Sequence, residues 1–158
     1  MNWTSWLLWG FVATLVLTTI SAATQGLGLT RMNIPYMLGT MFTPNRDKAK
    51  FYGFAAHVAA GWLFSLVYVF IFQSLGEAGW WRGALIGLFH AFFVLVVVVA
   101  LLPGMHPRMA SEQHGPAAQN MLEPPGFLAL HYGVQTPLVI IVSHVVFGAL
   151  LGMFYHLK

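Results

Sequence analysis

Four stretches of this chain, at about 5–24, 52–75, 83–102 and 138–157, are each apolar for some 20 residues. A helix rising about 1.5 Å per residue needs about that many to cross a hydrocarbon layer. Nothing else in the sequence narrows the possible folds as far. The remaining residues do not supply a soluble surface. Only 7% of the chain is charged and 58% is hydrophobic, against roughly 25% charged in an ordinary soluble domain. The same figures exclude a disordered chain. The expectation is an all-α integral membrane four-helix bundle, with 1–158 forming a single transmembrane domain. The first run lacks a basic leader and a small-residue cleavage site, so it reads as a span and not as a signal peptide. There is no cysteine, which removes disulfides, CxxC redox motifs, Cys-ligated zinc and iron–sulfur clusters from consideration.

The connections fix the topology. The link between the second and third spans, 76–82, is a tight turn with Gly76, Gly79 and an interfacial Trp80-Trp81 pair. Loops 26–50 and 103–135 are long, and four spans put them on one side. They carry Arg31, Arg46, Lys48, Lys50 and Arg108, against Arg82 and Lys158 opposite. This asymmetry predicts cytoplasmic long loops, in a bacterial inner membrane. Thr43-Pro44 and Thr136-Pro137 read as hydroxyl caps followed by proline at the first helical position. Asp47 suits the first turn of the second span. Residues 33–42 (NIPYMLGTMF) are apolar but too short to cross, so they lie along the interface or re-enter.

The halves look duplicated. HVAAGWLFSLVY from His57 and HVVFGALLGMFY from His144 share His, Val, Gly, a small residue and Tyr at one spacing. Gly10 precedes Arg31-Met32 by the interval at which Gly87 precedes Arg108-Met109, and Met37-Leu38 resembles Met121-Leu122. A repeated two-helix unit keeps its orientation, giving two parallel repeats about an axis along the membrane normal. The pairs Gly61/Ser65 and Gly148/Gly152 allow close helix approach, which packing alone explains.

Ionisable groups inside a span are functional candidates. His57, His90 and His144 qualify. His144 falls about 12 Å past Thr136 and His57 about 10 Å past Lys50, so the two share a depth, with His90 nearer the middle. Paired imidazoles on facing helices suit haem b or a transition metal. The plainer expectation is that each neutral imidazole hydrogen-bonds a neighbouring helix. On the first span Thr14, Thr18, Ser21 and Gln25 form one polar stripe that faces the bundle interior, as a packing surface or as a polar path.

Loop 103–135 is too long for a plain connector. It offers His106, His114, His131, Met105, Met109, Met121, Glu112 and Glu123. Imidazole with thioether suits copper, and imidazole with carboxylate suits zinc or iron. The spacing fits no closed metal motif. Ion pairs such as Arg31 with Glu123, or Arg108 with Glu112, would order the loops instead.

Other chemistries fall away. There is no GxxxxGK[ST] cradle, and neither Ser111 nor Ser143 sits in a nucleophile elbow. The basic residues are too few and too scattered for nucleic acid. Anchoring to anionic lipid accounts for the pI near 9.5. The segments GLTRMNIPYMLGTMF, HPRMASEQHGP, LEPPGF and YGVQTP resemble those of a family of small bacterial four-helix membrane proteins, across nearly the whole chain. The family carries no established activity, so the resemblance implies the fold and no functional residue. The leading functional expectation is a membrane binding or accessory subunit with an intramembrane histidine site, as a homo-oligomer or within a larger complex. A small channel or transporter using the first helix's polar stripe comes next, and a membrane enzyme with its site in loop 103–135 third.

Overall fold

The computed structural model describes residues 1–111 and 121–157. These residues form helices joined by turns, with no strand among them beyond one isolated bridge between Met109 and Leu122. The four spans are α1 (Trp3–Gly26), α3 (Arg46–Leu75), a third made of α4 (Trp80–Phe93), a π-helical turn (Val94–Val98) and α5 (Val99–Met105), and α6 (Thr136–Phe154). A short helix, α2 (Ile34–Phe42), precedes α3, and a 3₁₀ segment (Phe127–Tyr132) precedes α6. The chain is an all-α four-helix membrane bundle.

Both ends of the chain meet at one end of the bundle. The Asn2 amide donates to the Tyr155 hydroxyl (3.1 Å), and the His156 amide to Ser5 Oγ (3.0 Å). The two long connections meet at the other end, where Arg31 pairs with Glu123 at 2.7 Å. The expected Arg31–Glu123 link is thus present. Glu112, His114 and Lys158 lie outside the described residues.

Helix ends differ from the sequence expectation in detail. Asn45, not Thr43, caps α3, accepting from the amides of Asp47 and Lys48. Thr43 instead ends α2, and its hydroxyl accepts from the Asn45 amide. Thr136 lies inside α6, and its hydroxyl bonds Thr30 Oγ1 at 2.7 Å, tying the two loops together. The fourth span stops at Phe154, because Tyr155 adopts extended backbone and turns its hydroxyl toward Asn2 and Gln73. Gly76 closes α3 in the left-handed region (φ 69°), a conformation that costs glycine nothing.

Glycine sets the closest helix contacts. A Cβ added at Gly83 would sit 1.9 Å from the Gly148 carbonyl oxygen, and one at Gly87 2.2 Å from that of His144. The third span and α6 therefore touch backbone to backbone. On the other side of the bundle Gly61 packs on Thr14, and Trp6 donates its indole N–H to Ser65 Oγ at 2.8 Å. The matched glycines of the suggested repeat are not in equivalent positions. Gly10 faces Ser65, whereas Gly87 faces His144, and the repeat pairs His144 with His57.

The short helix α2 neither crosses nor floats. Gly39 and Gly53 let it lie directly on the first turns of α3, each facing a backbone carbonyl of the other helix, Ala49 and Pro35 respectively. At 30 residues, α3 is about 45 Å long. That exceeds a hydrocarbon core of about 30 Å, so its first turns and α2 stand at the interface.

Candidate functional site

The three intramembrane histidines gather between the helices, each through Nδ1. Thr18 donates its hydroxyl proton to the Thr14 carbonyl (2.8 Å). Its oxygen is then an acceptor toward His57 Nδ1, 3.1 Å away, so His57 carries the proton on Nδ1. His144 Nδ1 donates to the Ile140 carbonyl one turn earlier in its own helix, at 2.8 Å. His90 Nδ1 shares a 3.0 Å hydrogen bond with the Tyr68 hydroxyl. The rings of His90 and His144 stand 4.7 Å apart and nearly perpendicular, and Phe64 stacks on the other side of His90 at 4.6 Å.

None of the three uses Nε2 in a hydrogen bond among the described residues. For His57 and His144 this leaves an unprotonated nitrogen whose ring is oriented from the other side. Metal-bound imidazoles are held the same way, by an acceptor on the second ring nitrogen. His90 differs. Its partner Tyr68 is buried, and the two polar groups form the only polar feature on an otherwise aromatic and aliphatic groove of about 320 Å³ between α3 and α4, lined by Phe64, Phe89 and Phe93 among others.

The polar stripe of α1 divides. Thr14 and Thr18 are buried, and both spend their hydroxyl protons on carbonyls of their own helix. Ser21 does the same but, with Gln25, faces a second cavity of about 330 Å³ beside α2. The stripe thus supports His57 at one end and lines a recess at the other.

The loop residues proposed as metal ligands are held apart by other work. His106 is fully buried with both nitrogens committed: Nε2 donates to the Met37 carbonyl (2.9 Å), and Nδ1 accepts from the Arg108 amide (3.0 Å). Arg108 reaches on to the carbonyls of Thr40 and Met41, the bare C-terminal end of α2. Met109 is buried in the apolar core, whereas Met105 is 69% exposed. His131 Nδ1 donates to the Pro124 carbonyl, and its own carbonyl accepts from Arg31. Glu123 is bound to Arg31, and its backbone carbonyl accepts from the Tyr132 hydroxyl at 2.7 Å. Among the described residues no group of three or more His, Asp or Glu is placed to hold a metal ion. Glu112 and His114, the remaining candidates, lie outside them.

Two features escaped the sequence reading. Trp6 reaches Ser65 through its indole N–H, a link across α1 and α3 that no spacing in the sequence marks. Gly79, Gly83 and Gly87, spaced by four, form the seam that brings His144 against the third span. No protein-family model, curated protein or solved structure matches this chain.

Proposed function

We propose that this chain is an integral membrane binding or accessory subunit that takes its ligand through the Nε2 atoms of His57 and His144. The observation that carries this reading is the shared state of the two imidazoles. Each gives its Nδ1 proton to a fixed acceptor inside the bundle and keeps its Nε2 lone pair unused. Both residues are only part-buried, and neither Nε2 is among the enclosed unpaired polar atoms, so each remains open to a ligand. Two neutral imidazoles without a third ligating side chain suit the axial positions of haem b better than a caged metal ion. The hydroxyls of the first helix, spent on carbonyls, support binding over conduction. The excess of basic residues in the long loops favours a cytoplasmic position for them in a bacterial inner membrane. The small interior of a 17.5 kDa chain favours a homo-oligomer or a larger assembly.

Purified protein, examined by optical spectroscopy and metal analysis, tests the reading. A Soret band lost in both His57→Ala and His144→Ala, and retained in Tyr132→Phe, is the expected result. Protein that is colourless and metal-free, and that takes up no added haem, overturns it.

A further inference from the structure

We propose that the recess between α1, α2 and α3 holds the oxyanionic headgroup of an anionic membrane lipid. The recess has a volume of about 330 Å³, the scale of a headgroup and not of a whole lipid. Its polar lining includes one cation and two free neutral donors. Gln25 Oε1 already accepts from Asn33 Nδ2 (2.9 Å), and Asn33 Oδ1 from the Tyr36 amide (2.8 Å). The hydroxyl protons of Thr19 and Ser21 go to carbonyls of their own helix, so these two offer no donor to the recess. The donors still free on the lining residues are Gln25 Nε2, the Tyr36 hydroxyl and the Lys50 ammonium. The first two make no hydrogen bond among the described residues. Lys50 meets Asp47 at 3.3 Å, but that carboxylate side chain is 91% exposed and faces water, where such a pair holds the lysine weakly. A lysine ammonium beside two neutral donors suits a ligand that accepts through an anionic oxygen, a phosphate or carboxylate.

Position distinguishes a lipid from a free anion. Lys50 sits in the interfacial first turns of α3, with Arg46 and Lys48 beside it. Phe54, one turn deeper into the span, lines the same recess with Ile34 and Pro35. Charge at the membrane surface and apolar wall below it match an amphiphile with its head up and its chain along α3. Anionic headgroups are drawn to such interfacial lysines.

The test uses purified protein in neutral maltoside micelles, followed by thermal unfolding. It is titrated separately with dihexanoyl phosphatidylglycerol, dihexanoyl phosphatidylcholine and inorganic phosphate. The glycerol lipid is expected to raise the midpoint saturably, and the other two to leave it unchanged. Lys50→Met and Gln25→Leu are each expected to weaken the apparent affinity about tenfold, with Lys48→Met and His144→Ala close to wild type. The last variant keeps this site independent of the histidine reading. If Lys50→Met fails to fold, Tyr36→Phe, which removes one donor and little volume, is expected to weaken binding as well. Equal responses to the two lipids, a response to phosphate alone, or an equal loss in Lys48→Met overturns the proposal.

Discussion

His106 Nε2 lies 2.9 Å from the carbonyl of Met37, so a residue of the long third connection is bolted to the short helix that lies 69 positions earlier. The same imidazole accepts the Arg108 amide, and the Thr40 hydroxyl donates to the same Met37 carbonyl. Loop and helix thereby close one polar network with no acceptor or donor of the ring left over.

His106→Leu is therefore expected to be among the more costly loop substitutions. It removes the partner of the Arg108 amide, leaves the Met37 carbonyl with the Thr40 hydroxyl as its remaining side-chain donor, and puts an apolar group in a buried polar network, at about 2–4 kcal/mol. Arg108→Met, which uncovers only the end of α2, is expected to cost about 1–2 kcal/mol. Unfolding midpoints in micelles and the rate of proteolytic cleavage between 103 and 135 measure both. If His106→Leu unfolds and is cleaved like wild type, the loop is not anchored here.

Backbone contact between the third span and α6 sets the second expectation. Gly83→Val places atoms where the Gly148 carbonyl already lies, so the helices must separate. A loss of about 2 kcal/mol or more follows from overpacking of this kind. Gly26→Ala, with open space around it, is expected to stay within about 1 kcal/mol of wild type. Equal behaviour of the two variants in a denaturation series would remove the glycine seam.

The bundle was legible in the sequence because length and apolarity alone decide what can cross a bilayer, and four runs met that standard. Positions of the ends were less so. Thr43 and Thr136 have the chemistry of caps, yet other partners claimed both hydroxyls: the Asn45 amide, two residues on, took Thr43, and Thr30, 106 positions away, took Thr136. The histidines inside the spans were visible as costly groups and the nearby hydroxyls as their supply of partners, but which hydroxyl meets which ring, and that His144 turns to a carbonyl of its own helix, were not. Whether His90 meets Tyr68 depends on the rotation of two helices that lie 22 positions apart along the chain. The residues of loop 103–135 left two readings open for a plain reason. Imidazole, thioether and carboxylate look alike in sequence whether they ligate a metal or, as with His106 and Glu123, satisfy backbone and guanidinium.

Topology can be checked directly, since the chain has no cysteine. Single cysteines at Asn45 and Glu112 are expected to label from one face of sealed vesicles, and one at Glu77 from the other. Labelling of Asn45→Cys and Glu112→Cys from opposite faces contradicts four spans.

Tyr132 provides an alkaline marker. Burial pushes its phenol up to about 12; the Glu123 carboxylate adds to the rise and Arg31 opposes it. The folded value lies above the ordinary value near 10, so the stabilisation is fully present below about pH 10 and is lost as pH climbs through 12. Tyrosinate absorbance of wild type minus Tyr132→Phe is expected to show a step in that window. A step centred at pH 10 means the phenol is solvated.

The sharpest expectation concerns where the histidine protons sit. His144 donates from Nδ1 to a carbonyl, which has no proton to give in return, so its tautomer is fixed as Nδ1–H. Thr18 imposes the same state on His57 by giving its own proton to Thr14. His106 is fixed the opposite way, because the Met37 carbonyl requires a proton on Nε2 while the Arg108 amide requires a lone pair on Nδ1. Nitrogen-15 spectra of histidine-labelled protein in lipid separate protonated from bare ring nitrogens. His57 and His144 are expected to show bare Nε2, and His106 bare Nδ1, with each signal assigned by its loss in the matching alanine variant. Thr18→Val removes the acceptor that fixes His57 and is expected to change the His57 signals while leaving those of His106 in place. A ligand taken at Nε2 must then shift His57 and His144 and spare His106. An Nε2–H tautomer at His144 would leave that nitrogen without a lone pair, and the proposed site would lose one of the two atoms through which it binds.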